Sequence, residues 1–141
     1  MKYKDITEKI IGAAIEVHKF LGNRFQACLP EGSSAHRQEV IYQRALAWEL
    51  TQAGLSFARE IEQDIYYKEL PQPIGTRRAD FVVEGKVLVE LKALIRIEDV
   101  HLAQAMNYCQ AYNLPVGLLI NFGAKSLEFK RVYNVNHPDN A

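Results

Sequence analysis

The chain has 141 residues, 48% of them hydrophobic and 24% charged. That is enough apolar material for one buried core, and it excludes a disordered or fibrous chain. Seventeen basic residues balance seventeen acidic ones, so no global field draws the protein to nucleic acid or anionic lipid, and such a contact needs a local basic patch. The two cysteines, Cys28 and Cys109, have no CxxC spacing. The opening MKYKDITEKI is not a signal peptide, and no apolar run approaches the roughly 18 residues of a membrane span. A reduced, cytoplasmic protein with no membrane contact is expected.

Ile6, Ile10, Ala14, Val17 and Leu21 recur at steps of three and four, which predicts an amphipathic helix over 7–21, stopped by Gly22. Residues 23–38 have no period and hold Pro30, Gly32, Ser33 and Ser34, a loop that is long for a compact domain. A second helix is expected over 37–53, with Tyr42, Leu46, Leu50 and Ala53 on one face and Gly54 at its end. From Leu55 the period changes to two. Residues 57–67 read as a strand running into the turn-rich segment 70–75, and 77–83 with 86–95 read as a hairpin around Glu84 and Gly85. A third helix over 98–112 opens on Glu98 and Asp99, which suit the positive end of its dipole, and ends before Pro115. Residues 116–122 form a short apolar run, the pattern of a buried strand, and 127–133 alternate as an edge strand. From Asn134 the tail is expected to fray. With no repeat or linker, the economical architecture is one domain over residues 1–141. It is an α/β fold (α+β-like) with a single mixed sheet flanked by helices, in the order helix, helix, three strands, helix, two strands.

The chemistry lies in the hairpin. Val87, Val89, Leu91 and Ala93 make one face of its second strand, so Glu90 and Lys92 share the other, between Leu88 and Leu94. A carboxylate and an ammonium there are solvated, paired with each other, or coordinating something. A half-wet sheet face with a weak ion pair accounts for the spacing. So does a metal site in which Asp80 and Glu90 hold a hard cation and Lys92 orients the attacking water. Register separates the two. A two-residue turn at Glu84-Gly85 pairs Val83 with Lys86 and leaves Asp80 opposite Val89, facing away from Glu90. The metal reading therefore requires one extra residue in the turn, or a bulge near Asp80.

Asp80 followed by Glu90-Leu91-Lys92 on the next strand resembles the D…(D/E)xK signature of the PD-(D/E)XK nuclease superfamily. More narrowly, the chain resembles the GxxExxY family of small bacterial proteins within it. The matching pieces, in order, run from Ile10 to His18 and then through Leu21-Gly22, Glu39-Val-Ile-Tyr42, Arg78-Ala-Asp80-Phe81 and Val89-Glu90-Leu-Lys92-Ala93. They continue with Gln104 and Tyr108, and end with the Gly-Leu-Leu-Ile-Asn-Phe-Gly run over 117–123. His36 stands where the family carries its first glycine, and residues 23–38 look like an insertion.

The resemblance implies a restriction-endonuclease-like core and hydrolysis of nucleic-acid phosphodiesters with Mg²⁺ or Mn²⁺. Asp80, Glu90 and Lys92 would be catalytic, with Asp80, Glu90 and Glu39 as metal ligands and Gln104, His18 and Tyr42 as candidate auxiliary residues. Glu39 also suits the first turn of a helix, Gln104 shares a face with His101 and Tyr108, and a lone His18 beside an apolar stripe suits a packed core residue. Arg24, Arg37 and Arg78 are candidate phosphate contacts, with His36 in the same loop. The other expectation is a catalytically silent nuclease-fold binding or assembly module, and a homodimer through 116–122 or the edge strand at 127–133 fits either.

Overall fold

The computed structural model describes residues 3–26 and 36–141. In chain order the elements are α1 (Lys4–Leu21), α2 (His36–Gln52), β1 (Phe57–Ile65), β2 (Gly75–Val83), β3 (Val87–Lys92), α3 (Asp99–Ala111), β4 (Val116–Asn121) and β5 (Glu128–Tyr133). This is the order expected from the periodicities. The five strands form one sheet in sequence order, β1-β2-β3-β4-β5. Only β3 and β4 run parallel, with α3 as the crossover between them, so the sheet is mixed. No helix among the described residues is long and apolar enough to cross a membrane.

Each sheet face has its own apolar cover. Ile10, Ala14 and Val17 of α1 and Tyr42, Leu46 and Leu50 of α2 pack on Phe81, Val83, Val89, Leu91, Leu118 and Ile120. On the opposite face, Ala105 and Cys109 of α3 pack on Leu88, Leu119, Val132 and Ala79. Every residue of β4 is buried, which is why its sequence reads as an unbroken apolar run rather than an alternation. Burying each of these Leu, Ile or Val side chains contributes about 1.5–3 kcal/mol. The Cys109 thiol, sealed between α3 and the sheet, is pushed up to about 12 by burial and is inert as a nucleophile. Cys28, and most of the loop expected over 23–38, lie outside the described residues.

α1 starts three residues earlier than its apolar period suggests, at Lys4. Thr7 there donates to Lys4 O at 3.0 Å and accepts from Arg131 Nε at 3.1 Å, polar ties that periodicity does not register. The expected stop at Gly22 is present, with φ 60° and its N–H on His18 O at 2.7 Å. The tail corrects an expectation. Asn134 is buried, its N–H reaches Pro115 O at 3.0 Å, and Asn140 Nδ2 donates to Pro115 O and Asn134 O at 2.9 and 2.8 Å. Tyr3 donates to Asp139 at 2.5 Å, so the segment after β5 is tied down rather than frayed.

The strand ends near Lys92 are clamped by Asn121. Its Oδ1 accepts from Leu94 N–H and Gly123 N–H at 2.8 and 3.1 Å, while its Nδ2 donates to Leu94 O and Glu128 Oε1 at 3.0 and 2.8 Å. Glu128 Oε1 also takes Ile97 N–H at 3.0 Å, which fixes the path from β3 into α3. Backbone packs so closely here that a Cβ on Gly123 would lie 2.3–2.4 Å from Ala93 C and from Leu94 N and O. Gly12, on the outer face of α1, has nothing within 4 Å of the same position. Gly123→Ala should therefore cost about 1–3 kcal/mol or more in urea unfolding. Gly12→Ala should add about 0.5–1 kcal/mol, and equal effects of the two would contradict the packing described.

Candidate active site

The hairpin from β2 to β3 contains the irregularity that the metal reading requires. Lys86 N–H bonds Val83 O at 3.0 Å across Glu84 (φ 55°) and Gly85 (φ 64°), the geometry of a tight mirror-image turn. Yet Val83 pairs with Val87, not Lys86, so Lys86 is an extra, bulged residue. The register then continues through Val82 with Leu88 and Phe81 with Val89, which sets Asp80 opposite Glu90.

A second irregularity sits on the other side of Asp80. Arg59 pairs with Phe81 and Ile61 with Ala79, but Glu60 between them has φ 52° and lies outside the ladder. Phe81 faces the α1/α2 core while Ala79, two residues earlier, faces α3, so the alternation breaks at Asp80. Its carboxylate takes up hydrogen bonds of its own. Oδ2 accepts from Leu91 N–H at 2.8 Å and Oδ1 from Gln43 Nε2 of α2 at 3.1 Å.

Glu90 and Asp80 lie within hydrogen-bonding reach of each other. Glu90 Oε1 is sealed from solvent and has no hydrogen-bond partner. Burial raises the Asp80 carboxyl, and the Leu91 N–H, Glu90, Gln43 and Lys92 partly offset it. Burial pushes Glu90 well above the carboxylate range, reinforced by the charge of Asp80 and opposed by Lys92. Burial thus disfavours ionisation of both carboxyls, and of Glu90 the more, so the metal-free pair resists carrying two charges.

The pair forms the floor of a cleft of about 400 Å³, walled by Glu39, Val40 and Gln43 of α2, by Glu60 and Glu62 of β1, by Thr76, Arg77 and Arg78 of β2, and by Tyr108 of α3. Five carboxylates face three cations there, since Lys92 shares the floor. A smaller recess of about 200 Å³ opens from Glu90 and Lys92 toward His101, Gln104 and Tyr108. The Tyr108 phenol is raised, chiefly by burial and then by Glu90, so it stays a hydrogen-bond donor at neutral pH.

Of the residues expected from sequence, Asp80, Glu90, Lys92, Glu39 and Arg78 meet in the main cleft, and Gln104 in the recess. Among the described residues, no three Asp, Glu, His or Cys side chains are gathered closely enough to hold a metal ion. Glu39 stands on the cleft wall, and its charge acts on Glu90 less than those of Asp80 and Lys92 do. His18 and Tyr42 belong elsewhere. His18 Nε2 pairs with Ala124 O at 3.0 Å, beside Phe122. Tyr42 is fully buried and stacked 4.7 Å from Phe122, and its hydroxyl donates to Gly22 O and accepts from Phe25 N–H. It shapes the start of the loop after α1. Arg24 is exposed and lines neither cavity, and the Arg37 side chain is outside the described set. Gln43 and Tyr108 escaped the sequence reading as site residues. Gln43 is one turn beyond Glu39 and Tyr108 one turn beyond Gln104, so helical spacing could have found both.

The sequence profile of the PD-(D/E)XK nuclease superfamily matches residues 4–132. The chain belongs to that superfamily, and its single mixed five-stranded sheet with three helices is consistent with the restriction-endonuclease-like fold. No curated protein and no solved structure matches it.

The donor set fits a hard divalent cation: two adjacent carboxylates, one with an unpartnered buried oxygen, reached from an open cleft. A carboxyl raised on folding costs stability as pH climbs from its unfolded value through its folded one, and the cost persists above that. Glu90→Gln removes the ionisation. In metal-free protein it should raise the unfolding temperature at pH 8 and change little near pH 4. A gain of equal size at both pH values would mean that charge at Glu90 is not the cause.

Proposed function

We propose that the protein is a metal-dependent nuclease of the GxxExxY kind, hydrolysing nucleic-acid phosphodiesters in the cleft above Asp80 and Glu90. The observation that carries this is the carboxyl pair itself. Two acids are held together in a half-dry site against their own repulsion, with Glu90 Oε1 left without a partner. A purely structural polar cluster would leave no such atom orphaned. Cleft charge points the same way. With five carboxylates against three cations, a phosphodiester enters only if a cation offsets the excess.

Asp80 and Glu90 would hold Mg²⁺ or Mn²⁺, with Glu39 as the candidate third ligand from the cleft wall. When bound, such a cation supplies Lewis acidity and lowers the pKa of a coordinated water. Lys92, on the same strand face as Glu90, orients the attacking water and donates to a non-bridging phosphate oxygen. Arg78 contacts a neighbouring phosphate from the β2 wall. Water oxygen bonds to phosphorus as the bond to the leaving sugar oxygen breaks, and that oxygen takes up a proton.

The neutral net charge and the absence of a tight three-ligand group among the described residues favour the second reading, a nuclease-fold binding module without turnover. One experiment separates the two. Mg²⁺ and Mn²⁺ are titrated against labelled single- and double-stranded DNA and RNA, with Asp80→Ala and Lys92→Ala beside the wild type. Loss of about 10²–10³-fold in rate in both variants is expected. Cleavage that persists in both rules out the site, and metal binding without cleavage by the wild type selects the binding module.

A further inference from the structure

Gln43 is 4% exposed and stands on α2 between Asp80 and a residue of β1. Its Nε2 donates to Asp80 Oδ1 at 3.1 Å, and its Oε1 accepts from Arg59 Nη2 at 2.8 Å. A primary amide has a donor end and an acceptor end of nearly equal size, so an unbraced glutamine presents either one. Turned the wrong way, its carbonyl oxygen would face the Asp80 carboxylate, acceptor against acceptor. Arg59 settles the orientation, because a guanidinium carries donors only and stays charged, so it can face only the carbonyl end. Its position follows from the β1 irregularity. Arg59 pairs with Phe81, on the α1/α2 side of the sheet, immediately before Glu60 leaves the ladder.

We propose that Gln43, locked by Arg59, is a positioning residue that aims the Asp80 carboxylate into the cleft as a cation ligand. This rests on the reading of Asp80 and Glu90 as the metal-holding pair. Leu91 N–H holds Oδ2 from β3 and Gln43 holds Oδ1 from α2, so two hydrogen bonds from different elements fix the carboxyl plane. The oxygens keep lone pairs for a cation shared with Glu90, which itself has an unpartnered oxygen. The brace also accounts for a buried amide in the cleft wall and for an arginine behind it that lines neither cavity.

The test uses Mn²⁺ alone as the probe, by calorimetry on the full chain, with thermal unfolding in chelator as a parallel reading. Gln43→Leu keeps the bulk and removes the donor. Arg59→Met keeps the reach and removes the lock, and Arg59→Lys keeps a cation that bears only donors. Mn²⁺ affinity should fall about 10-fold or more in Gln43→Leu and Arg59→Met, and return to within about threefold of wild type in Arg59→Lys. Arg59 is exposed, so its variants should unfold near the wild-type temperature. They carry the test even if Gln43→Leu does not fold. Independently of metal, the Gln43 side-chain amide protons should stay resolved and protected from exchange in wild type and Arg59→Lys, and lose both properties in Arg59→Met. Wild-type affinity in Gln43→Leu and Arg59→Met overturns the positioning role while leaving the metal site standing. So does an Arg59→Lys variant as weak as Arg59→Met. A wild type that takes up no Mn²⁺ overturns both the metal site and this role.

Discussion

Two carboxyl groups pressed together where water is scarce repel each other, and much of this structure can be understood as the means of keeping Asp80 beside Glu90. The apolar layers supply the force, since the α1/α2 face and the α3 face clamp β2 and β3 from both sides. The backbone supplies the aim, through a bulged Lys86 and a left-handed Glu60 that together bring Asp80 off its ladder. Local hydrogen bonds from Leu91 and Gln43 then favour the charged form of Asp80, while burial and the charge of Asp80 oppose ionisation of Glu90. That pair, with Glu90 Oε1 unpartnered, is the feature on which the proposed metal role rests.

The apolar run over 117–123 takes on a physical meaning in this frame. Gly117 lies where a Cβ would meet Cys109 Sγ at 2.4 Å and Val132 Cγ2 at 2.7 Å, so β4 can sit under α3 only without a side chain there. Asn121 spends both ends of its amide on Leu94, Gly123 and Glu128, and Gly123 lets the following turn lie on the end of β3. Gly117, Asn121 and Gly123 line neither cavity. They fix where β3 ends, and so where Lys92 presents its ammonium.

The long periodic elements were legible in the sequence because burial imposes its period directly: α1 through Ile10, Ala14 and Val17, and β4 through a wholly apolar stretch. The hairpin irregularity was legible only conditionally, as something a shared site demands. No residue type at 84–86 announces a bulge, and nothing about Glu60 marks it for a positive φ. What failed has one cause. Tyr42, His18, Asn134 and Asn140 owe their roles to hydrogen bonds with partners distant in sequence or to one specific carbonyl, and such pairings leave no periodic trace. The place of Gln43 one turn beyond Glu39 was legible, but its hydrogen bonds to Asp80 and Arg59, on two different strands, were not.

The bulged Lys86 has a consequence for how this site tolerates change over evolutionary time. Because strand faces alternate, the juxtaposition of Asp80 and Glu90 depends on the register set by Val83 against Val87 and hardly at all on which residues occupy the turn. The 84–86 connection can vary in identity wherever the backbone angles permit. The loss or gain of one residue inside the paired stretches 81–83 or 87–89 would instead turn one of the carboxyls, and the core residues of its strand with it, to the other side of the sheet. The geometry is stored in the strand register and not in the turn, so a single-codon deletion at Lys86, which still lets Val83 meet Val87 across Glu84 and Gly85, would keep the two carboxyls together.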